Sequence, residues 1–330
     1  MSFFAVLFAL MLEQIKPLPR DNWVHDVLAS WVQWTRRNFD AGKPHHARVV
    51  WVVTVLAPAG LAALIHWLLA AYISFLLALA FDVGLIYLTL GFRQFSHYFT
   101  DIREAFERGD DEQARRLLAE WRHLDASELP RTELLRHVIE HSLLAAHRHV
   151  FGVFFCYVLF SALGLGPSGS VAYRIAEFAA RYWSHESQAL GEQVDDGLRD
   201  LSQSLFSLID HVPARLTAFG FAVVGNFEEA VAGWRRDAEL WKRANEGIIL
   251  AAAAGAVGVQ LGGATAPGVT PDRSPAYNAA LDDEAGEATG STGGLPPQLG
   301  HLGSVVGLVW RSVVLWMLLL ALLKLANLLG

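Results

Sequence analysis

The sequence predicts an all-α fold: a polytopic integral membrane helical bundle with an amphipathic helical region on the cytoplasmic side. Three observations lead there. Residues 49–92 contain no Lys, Arg or Glu, one Asp (Asp82) and one His (His66). A helix needs about 20 apolar residues to cross a hydrocarbon core, so this run suits two crossings. The whole chain is 53% hydrophobic and 18% charged, below the roughly 25% charge of soluble domains. Elsewhere apolar residues recur at helical rather than alternating spacing, and in lipid only helices and closed barrels satisfy their own backbone.

Taken in order, Met1 to Leu12 is apolar with no basic flank before it and no small-residue cleavage site after it. It reads as an uncleaved N-terminal helix ending near Glu13-Gln14 rather than a secretory signal. Trp23, Val27, Trp31 and Trp34 follow at helical spacing among basic residues, the pattern of an amphipathic helix lying on a membrane. Residues 49–92 are then a transmembrane hairpin, its turn placed near His66-Trp67 and Ala70–Tyr72.

From Arg93 to Arg148 the chain is polar again. Phe95, Phe99, Ile102 and Phe106 form one helical stripe, and Gly109 is placed to stop that helix. Asp110 opens a second, with Gln113 at the capping-box position, and Ala114, Leu117, Leu118 and Trp121 form its apolar face. A third begins near Ser127 and carries Leu134, Leu135, Val138 and Ile139. Val150 to Leu165 is apolar. Val171 to Trp183 includes Arg174, Glu177 and Arg181 and suits a surface helix or one packed in the bundle. Ile248 to Gly263 is apolar and rich in Ala and Gly, which lets helices approach closely in a bilayer. Ala264 to Gly303 is rich in Gly, Pro, Ser, Thr and acid and reads as a flexible loop. Ser304 to Leu323 is a final span.

The chain therefore divides into 1–92 (N-terminal helix, basic loop and hairpin), 93–149 (polar helices), 150–263 (membrane and peripheral helices), 264–303 (loop) and 304–330 (C-terminal transmembrane helix). Both Arg-rich regions fall on one side of the hairpin, and the positive-inside rule puts that side in the cytoplasm of a multi-pass inner-membrane protein. Net charge is −7, which gives no support to nucleic-acid binding. The single Cys156 excludes an intrachain disulfide framework or a cysteine-based zinc site. Of the 11 Trp, Trp51, Trp67, Trp183 and Trp310 lie near segment ends, as an aromatic belt or a helical core would place them. No Walker loop, dinucleotide fingerprint, HExxH motif or nucleophile elbow is present.

Three stretches, in this order, resemble the CobD/CbiB family of membrane proteins, which includes the AmpE branch. They are Ala105 to Leu118 followed by Asp125 and Glu140; Asp210-His-Val-Pro-Ala-Arg-Leu-Thr217; and Asn245 to Gly263, ending Gly255-Ala-Val-Gly-Val-Gln-Leu-Gly-Gly263. Ala172-Tyr173-Arg174 adds to the set. The resemblance implies a polytopic inner-membrane protein of the cobalamin-biosynthesis type. Family enzymes join adenosylcobyric acid to an aminopropanol, or its phosphate, through an amide bond with ATP. Such phosphoryl chemistry needs metal-binding acids and phosphate-binding bases in one place.

The chain departs from that pattern at three places. Leu144 to His149 replaces a Glu-Asn-x-x-Asp-Gly cluster, Glu177-Phe-Ala-Ala180 replaces Asn-Thr-Leu-Asp, and Phe206-Ser207 replaces an Asp-Asp pair. These changes remove oxygen ligands of the kind that hold Mg²⁺. Asp210 to Arg215, and Gly225 to Ala230 with Trp234, look closer to the AmpE branch, whose members are linked to sensing or signalling around cell-wall turnover. The resemblance thus implies an AmpE-like membrane regulatory or sensing protein, or alternatively an adenosylcobinamide-phosphate synthase using Mg-ATP. Partners on these readings are the lipid bilayer and a corrinoid or cell-wall-related ligand. A protein partner is not identified by the sequence.

Five residues form the candidate polar site. Arg215 is a charge in an apolar run, where charges are costly and usually functional; it reads as an anion or phosphate contact, or else as pairing with Asp210 or snorkelling. Pro213 is placed to start its helix at N1. Glu246 is positioned to coordinate a metal, accept from Arg215 or cap its helix. Glu140 belongs to the first resembling stretch. Asp82 reads as a group near the headgroups or bonded within the bundle. His141, His147 and His149 do not share a helix face, Asp110-Asp111-Glu112 reads as a cap, and no metal site is assigned.

Overall fold

A computed structural model describes residues 2–16, 23–40, 44–90, 92–122, 126–127, 129–189, 194–263 and 291–329. Its described elements are helical: α1 (Ser2–Ile15), α2 (Trp23–Phe39), α3 (Pro44–Leu68), α4 (Phe75–Thr89), α5 (Phe92–Glu107), α6 (Asp111–Arg122), α7 (Arg131–Ala146), α8 (Gly152–Ala162), α9 (Ser168–Ala189), α10 (Asp196–Val224), α11 (Phe227–Asp237), α12 (Ala244–Val257) and α13 (Leu299–Leu329). Three stretches are long and apolar enough to cross a membrane: His46–Ile73, Arg131–Ala162 and Leu299–Ala326. The fold is that of an all-α membrane helical bundle.

The chain forms two compact units. The first comprises residues 1–94, 148–213 and 320–330; the second comprises 95–147 and 214–319. In the first unit α3 and α4 are the two arms of the hairpin. α3 continues through a wider π turn over Leu69–Ile73, closed by the Ser74 amide on the Leu69 carbonyl at 2.9 Å. Reversal falls at Ser74, which is extended (φ −164°) and whose Oγ accepts from the Leu76 amide, a serine N-cap for α4. The turn is thus later than His66-Trp67. The physical reason is that nothing in Leu64 to Ile73 breaks a helix, whereas serine offers the backbone a cap.

α9 packs against α3 and α8 in this unit, and its Glu177, Phe178, Ala179 and Trp183 are buried. It is a bundle helix rather than a surface one. α2 is helical as its spacing predicts, but it rests on α3 through the small residues Ala29, Val32 and Thr35. Its Trp23, Val27 and Trp34 face outward, the orientation that a membrane-lying stripe requires. Among the four Trp placed at segment ends, Trp67 and Trp310 are exposed, while Trp51 and Trp183 are core residues.

In the second unit Gly109 takes a left-handed φ of 75° after α5, as the stop before Asp110 requires. Asp110 Oδ1 accepts the Gln113 amide at 2.9 Å and caps α6. Its neighbours bind arginines: Asp111 pairs with Arg131 at 3.0 Å. The predicted stripe of α5 is buried at Phe99, Ile102 and Phe106, and that of α6 at Ala114, Leu118 and Trp121. α7 begins at Arg131 and is buried on nearly every face. It runs without a break through a π-wound His147–Phe151 into α8, so the change of polarity near Arg148 marks no end of a helix.

α12 is buried along its length, as its small residues predict, and packs against α11 and α7. A Cβ at Gly255 would lie 2.2 Å from the Glu229 carbonyl oxygen, so only glycine permits this approach. α12 ends at Gly258 (φ 78°). Beyond it Val259 pairs with Leu295 and Gly262 with Ser291. Residues 291–298 therefore fold back on the glycine-rich run and α13 starts at Leu299, ahead of the expected Ser304. The rest of the expected loop, 264–290, lies outside the described residues, as does Asp125.

One further expectation is corrected. Pro213 does not open a helix: α10 starts at Asp196 and passes through it. An interior proline removes one helical hydrogen bond and costs about 3 kcal/mol, and Pro213 is buried here, where packing against neighbours offsets that loss.

Candidate functional site

The second unit contains parts of all three resembling stretches: Glu140 of the first, Ala214 to Thr217 of the second and Asn245 to Gly263 of the third. On α7, Arg136 and Glu140 are four residues apart and share a face. Glu140, 2% exposed, accepts the Gly262 amide on Oε1 at 2.7 Å. Arg136 Nη1 donates to the Gly262 carbonyl, and its Nη2 pairs with Glu133. One glycine is thus held by both its backbone groups. Gly262 and Gly263 are left-handed (φ 75° and 114°), and a Cβ at Gly263 would come within 2.9 Å of Arg136 Nη1. The Leu261 amide donates to Thr292 Oγ1 at 2.7 Å, so the Gly-Val-Gln-Leu-Gly-Gly run is fixed on both sides.

The Pro-Ala-Arg-Leu-Thr stretch joins the same unit from α10. Thr217 Oγ1 lies 2.9 Å from His147 Nδ1. Arg215, half-buried, donates from Nη1 to Asn245 Oδ1 at 3.4 Å. Glu246 accepts from Arg243 at 3.2 Å in the first turn of α12. Successive helical residues diverge by about 100°, and it is Asn245 that turns to the buried side. Arg215 thus has a neutral amide acceptor in Asn245.

Asp82 and Asp210 belong to the first unit and have separate partners there. Asp210 Oδ1 accepts the Tyr173 hydroxyl at 2.8 Å. Tyr173 lies against Gly152, where a Cβ would meet its ring at 2.2 Å. Burial raises the Tyr173 phenol well above its ordinary range, and the charge of Asp210 adds to this, so Tyr173 remains a donor. Asp82, fully buried, has Oδ1 2.7 Å from His66 Nδ1 and accepts the Tyr157 hydroxyl on Oδ2 at 3.2 Å.

Glu177, which stands where the enzymes' pattern has Asn, is fully buried between Arg174 (2.9 Å) and Arg181. Burial lowers the Arg174 pKa from its usual value, Glu177 opposes that, and Arg181 and Arg148 reinforce it. His25, edge-on to Phe178 at 5.2 Å, is lowered first by burial and then by Arg174. The three histidines disperse: His141 is edge-on to Trp121 and His147 binds Thr217. Among the described residues, no three of His, Cys, Asp and Glu come together as a metal site.

Sequence reasoning missed Arg136, His66 and Tyr157 as functional partners. Two signals were available. Arg136 precedes Glu140 by one turn inside the apolar Leu134–Ile139 face, and His66 and Asp82 are each eight residues from Ser74, which puts them at one level of a hairpin.

Taken together, fold and contacts define a helical membrane protein with ionisable residues bonded inside its bundle. Residues 6–287 match the family described as CobD/Cbib protein, and the chain belongs to the CobD/CbiB family. It is 28% identical over 281 residues, 83% of this chain and 81% of the relative, to "Cobalamin biosynthesis protein CobD" of Stutzerimonas stutzeri (strain A1501). It is 30% identical over 218 residues, 64% of this chain and 63% of the relative, to the protein of the same description from Chromobacterium violaceum. No solved structure matches.

Proposed function

We propose that this chain is a membrane-embedded binding and sensing member of the CobD/CbiB family, AmpE-like in working without amide-forming turnover. It sits as a multi-pass protein in the bacterial inner membrane, and its ligand is a corrinoid of the cobalamin pathway, the class that the descriptions of both relatives support. One observation carries the reading. Each buried carboxylate of the candidate set is engaged by a structural donor in its own unit: Glu140 by the Gly262 amide, Asp210 by Tyr173, and Asp82 by His66 and Tyr157. Glu177, at a position of the enzymes' pattern, is neutralised by two arginines. Carboxylates so used are poor Mg²⁺ ligands, because binding the ion would strip the donors from buried groups. Arg215 is the half-buried cation that meets an anionic group of the ligand.

A second reading, the Mg-ATP-dependent adenosylcobinamide-phosphate synthase, is favoured by the Gly-Val-Gln-Leu-Gly-Gly run and its Glu140 clamp. The test is to incubate detergent-purified protein with adenosylcobyric acid, aminopropanol phosphate and Mg-ATP. We expect no amide product. Product that disappears in Arg215→Ala would establish the synthase reading instead.

A further inference from the structure

The first unit holds an ionisable pair to which neither of these readings gives a ligand or a chemical step. His66 on α3 and Asp82 on α4 lie eight residues on either side of the Ser74 turn. At about 1.5 Å rise per residue both sit about 12 Å below the hairpin tip, near the middle of a hydrocarbon core about 30 Å thick. Asp82 is fully buried and His66 is 8% exposed, so the imidazole is the edge through which the pair meets its surroundings. Ionisable groups at such depth are costly and usually serve a proton or ion path.

The geometry restrains both partners. Tyr157 of α8 donates to Oδ2 while His66 occupies Oδ1. Gly166 in the turn between α8 and α9, left-handed at φ 56°, lies so close that a Cβ would stand 2.3 Å from His66 Cγ. Gly166 therefore leaves the ring room that a side chain would take, and Nδ1 is the nitrogen that faces Asp82. Groups facing Asp82 are His66 from α3 and Tyr157 from α8. Three further helices pack on these two: α9, whose Arg174 and Arg181 pair with Glu177 on their own helix; α1, which meets α4 and carries Glu13; and α2, which meets α3 and carries His25, Asp26, Arg36 and Arg37.

We propose that His66 and Asp82 form a proton-binding site inside the membrane helices, loaded through His66 Nε2. A proton arriving at Nε2 makes the imidazolium. The Nδ1 proton then passes to Asp82 Oδ1, leaving a neutral imidazole in its other tautomer and a neutral carboxyl group. Tyr157 keeps its bond to Oδ2 throughout. Each step conserves one proton, and release reverses it. Loading changes a charge where α3, α4 and α8 meet, so the packing of those helices is what reads the proton. This site does not depend on which ligand the second unit takes.

The test uses the full chain in lipid nanodiscs with ¹⁵N-labelled histidine, followed by NMR from about pH 5 to pH 8, the range around the unperturbed imidazole value. The His66 ring signals, assigned by their loss in His66→Gln, are expected to shift with pH and to change course in the near-isosteric Asp82→Asn. Should Asp82→Asn not fold, infrared difference spectra of wild type against His66→Gln replace it, with a pH-dependent carboxyl band expected only in wild type. Ring signals constant over the whole range, or a titration the same in wild type and Asp82→Asn, would overturn the proposal. So would an infrared carboxyl band unchanged by His66→Gln.

Discussion

Glu140 and Asp82 are both buried carboxylates on apolar helices, yet their partners differ in kind. Glu140 is hydrogen-bonded to a backbone amide at 2.7 Å, a donor that cannot give up its proton, while the His137 imidazole stands back at 3.9 Å from its other oxygen. Asp82 is bound to an imidazole, whose two nitrogens can take up and pass on a proton, and to a phenol hydroxyl that donates. The first arrangement is a latch on the chain: removing it frees Gly262 and leaves Arg136 with less to hold. The second can change charge without any chain movement. Both groups are carboxylates and both are buried, so the partner decides what a buried acid does.

Substitutions can break that contrast. Glu140→Ala leaves a buried amide without its acceptor and is expected to cost about 3 kcal/mol, measured by unfolding in detergent. Glu140→Gln keeps an acceptor oxygen and should recover most of the loss; equal effects of Ala and Gln would deny the latch. Asp82→Leu should cost about 1–3 kcal/mol by leaving His66 and Tyr157 without an acceptor. Asp82→Asn, still an acceptor for Tyr157, should cost less. Tyr157→Phe removes one of the two donors to Asp82, and about 1 kcal/mol is expected.

The smallest effect concerns His25. Its folded pKa is depressed below the unfolded value of 6.5, so between the two values the unfolded chain binds more protons. Stability is complete above about pH 6.5 and falls as pH drops toward the folded value. His25→Gln should flatten that slope in a Tm-against-pH series, and an unchanged slope would assign it to other groups. For topology, a reporter fused within residues 270–300 should face away from one fused near Asp110.

Local chemistry was legible in the sequence. The Asp110 cap, the Gly109 stop, the faces of α5 and α6 and the close-packed α12 need only neighbours a few residues apart. Features that depend on tertiary packing were not. Polarity changes at Arg148 and His149, but the helix continues because Arg148 is buried in the bundle. Pro213 reads locally as a start, and a long packed helix overrides it. The five candidate residues were found by charge and resemblance, but their partners Gly262, Tyr173, Asn245 and His66 lie 16 to 122 residues away in sequence. Within α12, Asn245 accepts from Arg215 and the adjacent Glu246 accepts from Arg243, partners that only the tertiary fold assigns.

The central claim is that the second unit binds a corrinoid through Arg215 without turning it over. Equilibrium titration of the detergent-purified protein with adenosylcobyric acid, read by quenching of tryptophan fluorescence, tests it most directly. Saturable quenching weakened at least tenfold by Arg215→Ala, about 1.4 kcal/mol of binding energy, is the predicted result. Quenching that does not saturate, or that is identical in the variant, would contradict it.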